Sequence, residues 1–149
     1  ESGYWYLLTK MSKGKEVTGI VFEDKLYLFG GSGKKGLTEI ESFDLKTAQW
    51  KKEGALFREM RKPAITKDKE FIYLQEDGKI ITFNPKTKAL KEYNIDLKLK
   101  GSEMHFSNGK LYIIGGFQVE DYRKAPSNGF YNVKVSEFFK TKPINNITF

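Results

Sequence analysis

At 149 residues the chain has the size of one ordinary domain, and its 39% hydrophobic and 15% aromatic content excludes a chain too polar to fold. Twelve Phe, eight Tyr and two Trp favour strands, and fourteen Gly suit a fold with many tight turns. The net charge of +7 is mostly Lys in turn-like places, and with only three Arg and no basic stripe threaded by aromatics, no nucleic-acid partner is expected.

The absence of Cys excludes disulfides and thiolate metal sites and leaves the compartment open. His105 is the only histidine, so it has no His or Cys partner for a metal, and neither metal nor cofactor is expected. No apolar run approaches the ~20 residues of a membrane span, and the polar start Glu1-Ser2-Gly3 carries no signal-like segment.

Taken along the chain, the elements repeat. Tyr4–Thr9 is an aromatic, strand-like segment holding Trp5. Phe22-Glu-Asp-Lys-Leu-Tyr27-Leu-Phe-Gly30-Gly31 follows: a strand, a tight turn, then an apolar strand with Tyr second and a Gly-Gly stop. Next, Phe43-Asp-Leu-Lys-Thr47 reads as a strand ending in an Asp-started turn, with Trp50 seven residues after the Phe. The set then recurs. Ile65 to Glu76 repeats the hairpin without the Gly pair, and Phe83-Asn-Pro-Lys-Thr87 repeats the turn, with Leu90 in the Trp slot. Phe106-Ser-Asn-Gly-Lys-Leu-Tyr112-Ile-Ile-Gly115-Gly116 matches the first hairpin almost position for position, and Asn108-Gly109 is a strong turn signal. The Tyr slots at 27, 73 and 112 lie 46 and 39 residues apart, and each follows Trp5, Trp50 or Leu90 by 22 or 23 residues. A period of this size marks blade-like repeats.

An apolar strand closed by Gly-Gly, an aromatic-Asp-x-x-Thr turn and then Trp resembles the kelch repeat, over residues 4–139. The third unit departs from the pattern: Tyr131-Asn-Val-Lys-Val replaces the aromatic-Asp turn, with no Trp seven residues on. The resemblance implies an all-β fold of four-stranded antiparallel β-propeller blades, about three of them, as part of a larger propeller. It divides residues 1–149 into an outer strand at 4–9, blades at 17–54, 60–95 and 103–139, and a tail at 140–149. Inner strands are expected near Val17–Phe22, Pro63–Lys67 and Glu103–Ser107, and second strands at Leu26–Phe29, Phe71–Leu74 and Leu111–Ile114. Third strands are expected near Thr38–Phe43, Lys79–Phe83 and Phe130–Val135, and outer strands near Ala48–Glu53 and Ala89–Ile95, with Tyr4–Thr9 as an incomplete one. The tail, polar with Pro143, shows no pattern.

Propellers close with about four to eight blades. Three blades therefore imply further propeller blades, a second chain that closes a six-bladed ring with the Trp5 strand completing its third blade, or an arc docked on another protein.

Gly30 to Gly36 only superficially suggests a phosphate loop, since Lys35 is followed by Gly and a strand rather than by Ser/Thr and a helix. Asn146-Ile-Thr148 fits the N-glycosylation triplet. Glu39 and Glu41 share one strand face and should meet solvent or Lys. By the resemblance, ligands meet the face formed by second-to-third-strand loops and by loops entering the inner strand: Ser32–Gly36, Arg58–Lys62, Gln75–Asp77, Gly101–Glu103 and Phe117–Asn128. The binding candidates are Arg58, Arg61, Glu103, His105, Gln118, Tyr122 and Arg123, because Arg and Tyr dominate interface hot spots and His105 lies on an inner strand. No catalytic residue is assigned. The function implied is a scaffold binding a protein, peptide or glycan through one face, rather than an enzyme. The alternative is a sugar-modifying enzyme of the sialic acid mutarotase type on the same fold.

Overall fold

The computed structural model describes residues 3–35 and 37–149; Gly36, at the end of the Gly30–Gly36 loop, and Glu1 and Ser2 lie outside the described residues. Strands β1 (Glu16–Phe22), β2 (Lys25–Ser32), β3 (Glu39–Asp44) and β4 (Trp50–Ala55) form one antiparallel sheet in chain order. A second sheet repeats this order with β5 (Ala64–Lys67), β6 (Ile72–Glu76), β7 (Lys79–Phe83) and β8 (Ala89–Asn94). A third holds β9 (Glu103–Ser107), β10 (Lys110–Ile114) and β13 (Phe130–Lys134), with the hairpin β11 (Phe117–Glu120) and β12 (Arg123–Pro126) inserted after β10. The architecture is all-β, built as kelch-like blades.

The repeat positions carry the same structural duty in each blade. Tyr27, Tyr73 and Tyr112 pair with Ser42, Thr82 and Asn132, so the third strand always meets the Tyr slot in one register. Phe43 pairs with Trp50, ring centroids 5.0 Å apart, and Phe83 pairs with Leu90. The turn before each outer strand is set by one side chain. Asp44 Oδ1 accepts the amides of Lys46 and Thr47 at 2.9 and 3.0 Å, and Asn84 Oδ1 accepts those of Lys86 and Thr87 at the same distances.

Core packing lies between the blades. Tyr27 and Phe29 set their edges against Phe83, and Ile72, Leu74, Ile81 and Leu90 complete this first layer. Alternate residues of the same strands turn the other way. Tyr73, Ile80 and Tyr93 meet Met104, Leu111 and Ile113 of the third blade. Strands β6 and β7 are thus covered on both faces, which explains their nearly unbroken apolar sequence. Desolvation pushes the Tyr27 hydroxyl up to about 12, with Glu53 and Glu23 adding to the rise, so Tyr27 stays neutral as a packing residue.

The Gly pair closes β2 against the next blade. Gly30 has φ +59°, and a Cβ there would lie 2.6 Å from the Met60 carbonyl oxygen and 2.9 Å from that of Leu37. The Met60 oxygen also accepts the Gly31 amide at 2.8 Å.

At the rim between the first two blades, buried Glu53 accepts hydrogen bonds from Ser42 Oγ (2.6 Å) and Lys88 Nζ (2.7 Å). Burial alone would raise this carboxyl, but the bonds from Lys88 and Ser42 outweigh it and hold it below its ordinary value of 4.5. A lowered carboxyl contributes stability that is complete above the unfolded value and is lost as the pH falls through the folded one. Urea midpoints should therefore fall as the pH drops from about 5 towards about 3, and Glu53→Gln should flatten part of that slope. An unchanged slope in the variant would refute this role.

One expectation needs correction. Tyr4–Thr9 forms no strand: it pairs with no other strand, Trp5 is 95% exposed, and Thr9 Oγ1 accepts only a side-chain bond from Trp50 Nε1 at 3.2 Å. In the tail, whose sequence shows no pattern, Asn145–Thr148 forms β14, pairing antiparallel with β8 as a fifth strand of the second blade. The third blade has three strands, as a unit with no Trp-bearing outer strand implies. After β13 the chain enters a short helix, α1 (Val135–Phe139), whose Phe138 packs on Tyr73 and Tyr93 in the second core layer. Glu39 and Glu41 do meet lysines, pairing with Lys13 (2.7 Å) and Lys15 (2.5 Å).

Candidate binding groove

On one side of the blades, the β4–β5 connection, the β6–β7 turn, the β8–β9 connection and the β11–β12 hairpin surround an open groove of about 980 Å³. Each wall has a local cause. The β6–β7 turn needs two left-handed residues and finds them in Asp77 (φ +48°) and Gly78 (φ +81°). Its amides donate to Leu99 O (2.9 Å) and Leu97 O (3.1 Å), while buried Gln75 Nε2 donates to Leu99 O at 3.0 Å. The inserted hairpin is pinned at its base, where Lys100 and Phe117 exchange two backbone hydrogen bonds of 2.9 Å. Its tip turns through Asp121 (φ +44°) and Tyr122 (φ +61°).

The lining mixes apolar and charged groups. Met60, Phe117 and Val119 supply the apolar surface, and Lys124 Nζ sits 4.5 Å from the centre of the Phe117 ring. Around them stand Arg58, Arg61, Lys62, Lys79, Lys100 and Lys124 against Glu59, Glu76 and Asp77. Glu76 is engaged by the wall itself, its two oxygens accepting the amides of Arg61 (3.3 Å) and Lys62 (3.0 Å). Lys79 donates to the Asn94 side chain.

The candidate residues fall into four places. Arg58 and Arg61 line the groove. The Arg58 fork is committed: Nε and Nη2 donate to the two Glu92 carboxylate oxygens at 2.8 and 2.7 Å, and this bond raises the guanidinium further. Glu92 is fully buried and also accepts Asn145 Nδ2 of β14 at 3.0 Å. Gln118 lies beside the groove in a hollow of about 220 Å³ with Asp77, Lys98 and Lys100, and its amide donates to Glu120. Tyr122 and Arg123 stand at the hairpin tip, outside the groove lining, with Tyr122 fully exposed. Glu103 and His105 sit apart from it on β9, 3.6 Å from each other, on the third blade's face that points away from the second.

Residue-by-residue reading missed Phe117, Val119, Lys100 and Lys124. For the three hairpin residues the signal was the alternation Phe-Gln-Val-Glu before Asp121-Tyr122, which marks a hairpin rather than a plain loop. Among the described residues no group of three His, Cys, Asp or Glu side chains is gathered as a metal site, and no helix is long and apolar enough to cross a membrane.

Units of antiparallel strands, packed face to face through Tyr slots and in the first and third closed by Gly pairs, have the plan of kelch-like blades. Residues 15–55, spanning all four strands of the first blade, match the Kelch motif family. The chain thus carries a kelch repeat in its first blade. No curated protein matches it.

Proposed function

We propose that this chain is a binding module whose loop face engages another protein, taking a peptide segment of it into the groove. The observation that supports this most is the convergence of loops from two blades, together with a pinned hairpin, on one open groove of about 980 Å³. Loops carried on rigid sheets are where binding residues concentrate. A peptide suits the surface better than a glycan, because Met60, Phe117 and Val119 offer apolar contact while Lys124 covers the Phe117 ring that a sugar would stack on.

The same reading has the blades continue, through further propeller blades or a second chain, against the outward face of the third blade. There Ile114 and Phe130 are 44% and 65% exposed, whereas their first-blade equivalents Phe29 and Ile40 are buried by the second blade. Gly115, at φ +70°, faces open space where Gly30 meets Met60.

A peptide library displayed against the isotope-labelled protein tests the binding reading. Selected peptides should shift amide resonances at 58–62, 76–79, 100–101 and 117–124. Shifts confined to the hollow on the other side of the blades, around Phe22 and Lys86, would overturn it.

A further inference from the structure

Resting on that binding reading, we infer that the groove selects acidic segments, with carboxylates flanking one or two apolar residues. Six cationic and three anionic side chains line it, and the internal pairing is uneven. Arg58 is spent on buried Glu92, Asp77 lies 3.8 Å from Lys100, and Glu76 is taken up by two backbone amides. Arg61, Lys62 and Lys124 have no ion pair among the described residues.

These free cations stand on two walls. Arg61 and Lys62 belong to the β4–β5 connection, and Lys124 to the inserted hairpin. Met60, Phe117 and Val119 add apolar surface to the same groove. A segment lying across it would set a carboxylate against each wall and bury an apolar side chain on that surface. Glu76 and Asp77 are already engaged, which leaves Glu59 as one carboxylate without a partner against three such cations among the described residues, so an acidic ligand meets less repulsion than a basic one. A nucleic acid fits less well. Among the described residues Phe117 is the only aromatic side chain in the lining, and its ring lies under Lys124, so none of them offers an open platform for stacked bases.

The test measures fluorescence anisotropy with two labelled peptides, one alternating Glu and Leu, the other its Gln-for-Glu analogue. The acidic peptide should bind at least about tenfold tighter at low salt, and added salt should narrow the ratio. Reversing two cations together, Arg61→Glu with Lys124→Glu, should abolish the preference. Lys140→Glu, on the exposed end of α1, should leave it intact; thermal melting checks that the variants fold. Equal binding of both peptides, or an equal loss in the Lys140→Glu protein, overturns the inference. If both bind equally and their resonance shifts still cluster on the groove, the binding module stands and only the acidic preference falls. If neither shifts those resonances, both readings fall. Tighter binding of labelled oligothymidylate through Arg61 and Lys124 would also overturn the inference, by assigning the groove to a nucleic acid.

Discussion

A methyl group added at Gly30 is expected to cost about 3 kcal/mol or more, while the same change at Gly115 should cost only about 1 kcal/mol. Both residues are left-handed, at φ +59° and +70°, so both substitutions carry the backbone penalty of about 1–2 kcal/mol that an L side chain meets there. They differ in surroundings. At Gly30 the new Cβ meets two backbone carbonyls, of Met60 and Leu37, which cannot swing aside like a flexible side chain. Moving the Met60 carbonyl would also break its bond from the Gly31 amide. At Gly115 no atom lies within 4 Å. Urea unfolding of Gly30→Ala and Gly115→Ala separates the two terms, and equal losses would refute the packing role given to the first Gly pair.

The second large effect is expected at Arg58. Its removal leaves the Glu92 carboxylate fully buried with only the Asn145 amide as a side-chain partner. Breaking a buried ion pair from one side costs about 3–5 kcal/mol. Arg58 is itself 44% exposed, so water can partly replace it, and the lower end of that range is expected for Arg58→Ala. Arg58→Lys should recover only part of the loss, since an ammonium cannot make both bonds of the fork. The double variant Arg58→Met with Glu92→Leu should be more stable than Arg58→Ala, because no charge is left unpaired. Chemical denaturation of the three proteins checks this ordering. A near-neutral Arg58→Ala would return Arg58 to the set of free binding side chains.

That contrast shows where sequence reading ends. The blades were legible because their signals are local: a Tyr at a set distance from a Gly pair, an Asp or Asn opening a turn, a bulky residue seven positions after a Phe. The structure places Tyr27, Phe43, Trp50, Phe83 and Leu90 in the registers those spacings imply. The loops around the groove were legible for the same reason, since strand order decides which loops share a side. The duty of a single side chain was not. Nothing near Arg58 in sequence announces a partner 34 residues on. Nor does the Lys140–Phe149 composition betray β14, whose exposed, polar strand is held by an edge that another blade supplies. Tyr4–Thr9 failed in the opposite sense, having the composition of a strand with no neighbour to pair with.

The pairing of β14 with β8 also bears on the order in which the protein can be completed. Strand β8 ends at Asn94 and its outer neighbour begins at Asn145, so the whole third blade is synthesised between them. During that interval on the ribosome, the outer edge of the second blade is a bare template and Glu92 lacks its Asn145 donor. Blade two is therefore completed only after blade three has been made, and its open edge is a place where a holdase or a stray strand would compete during synthesis.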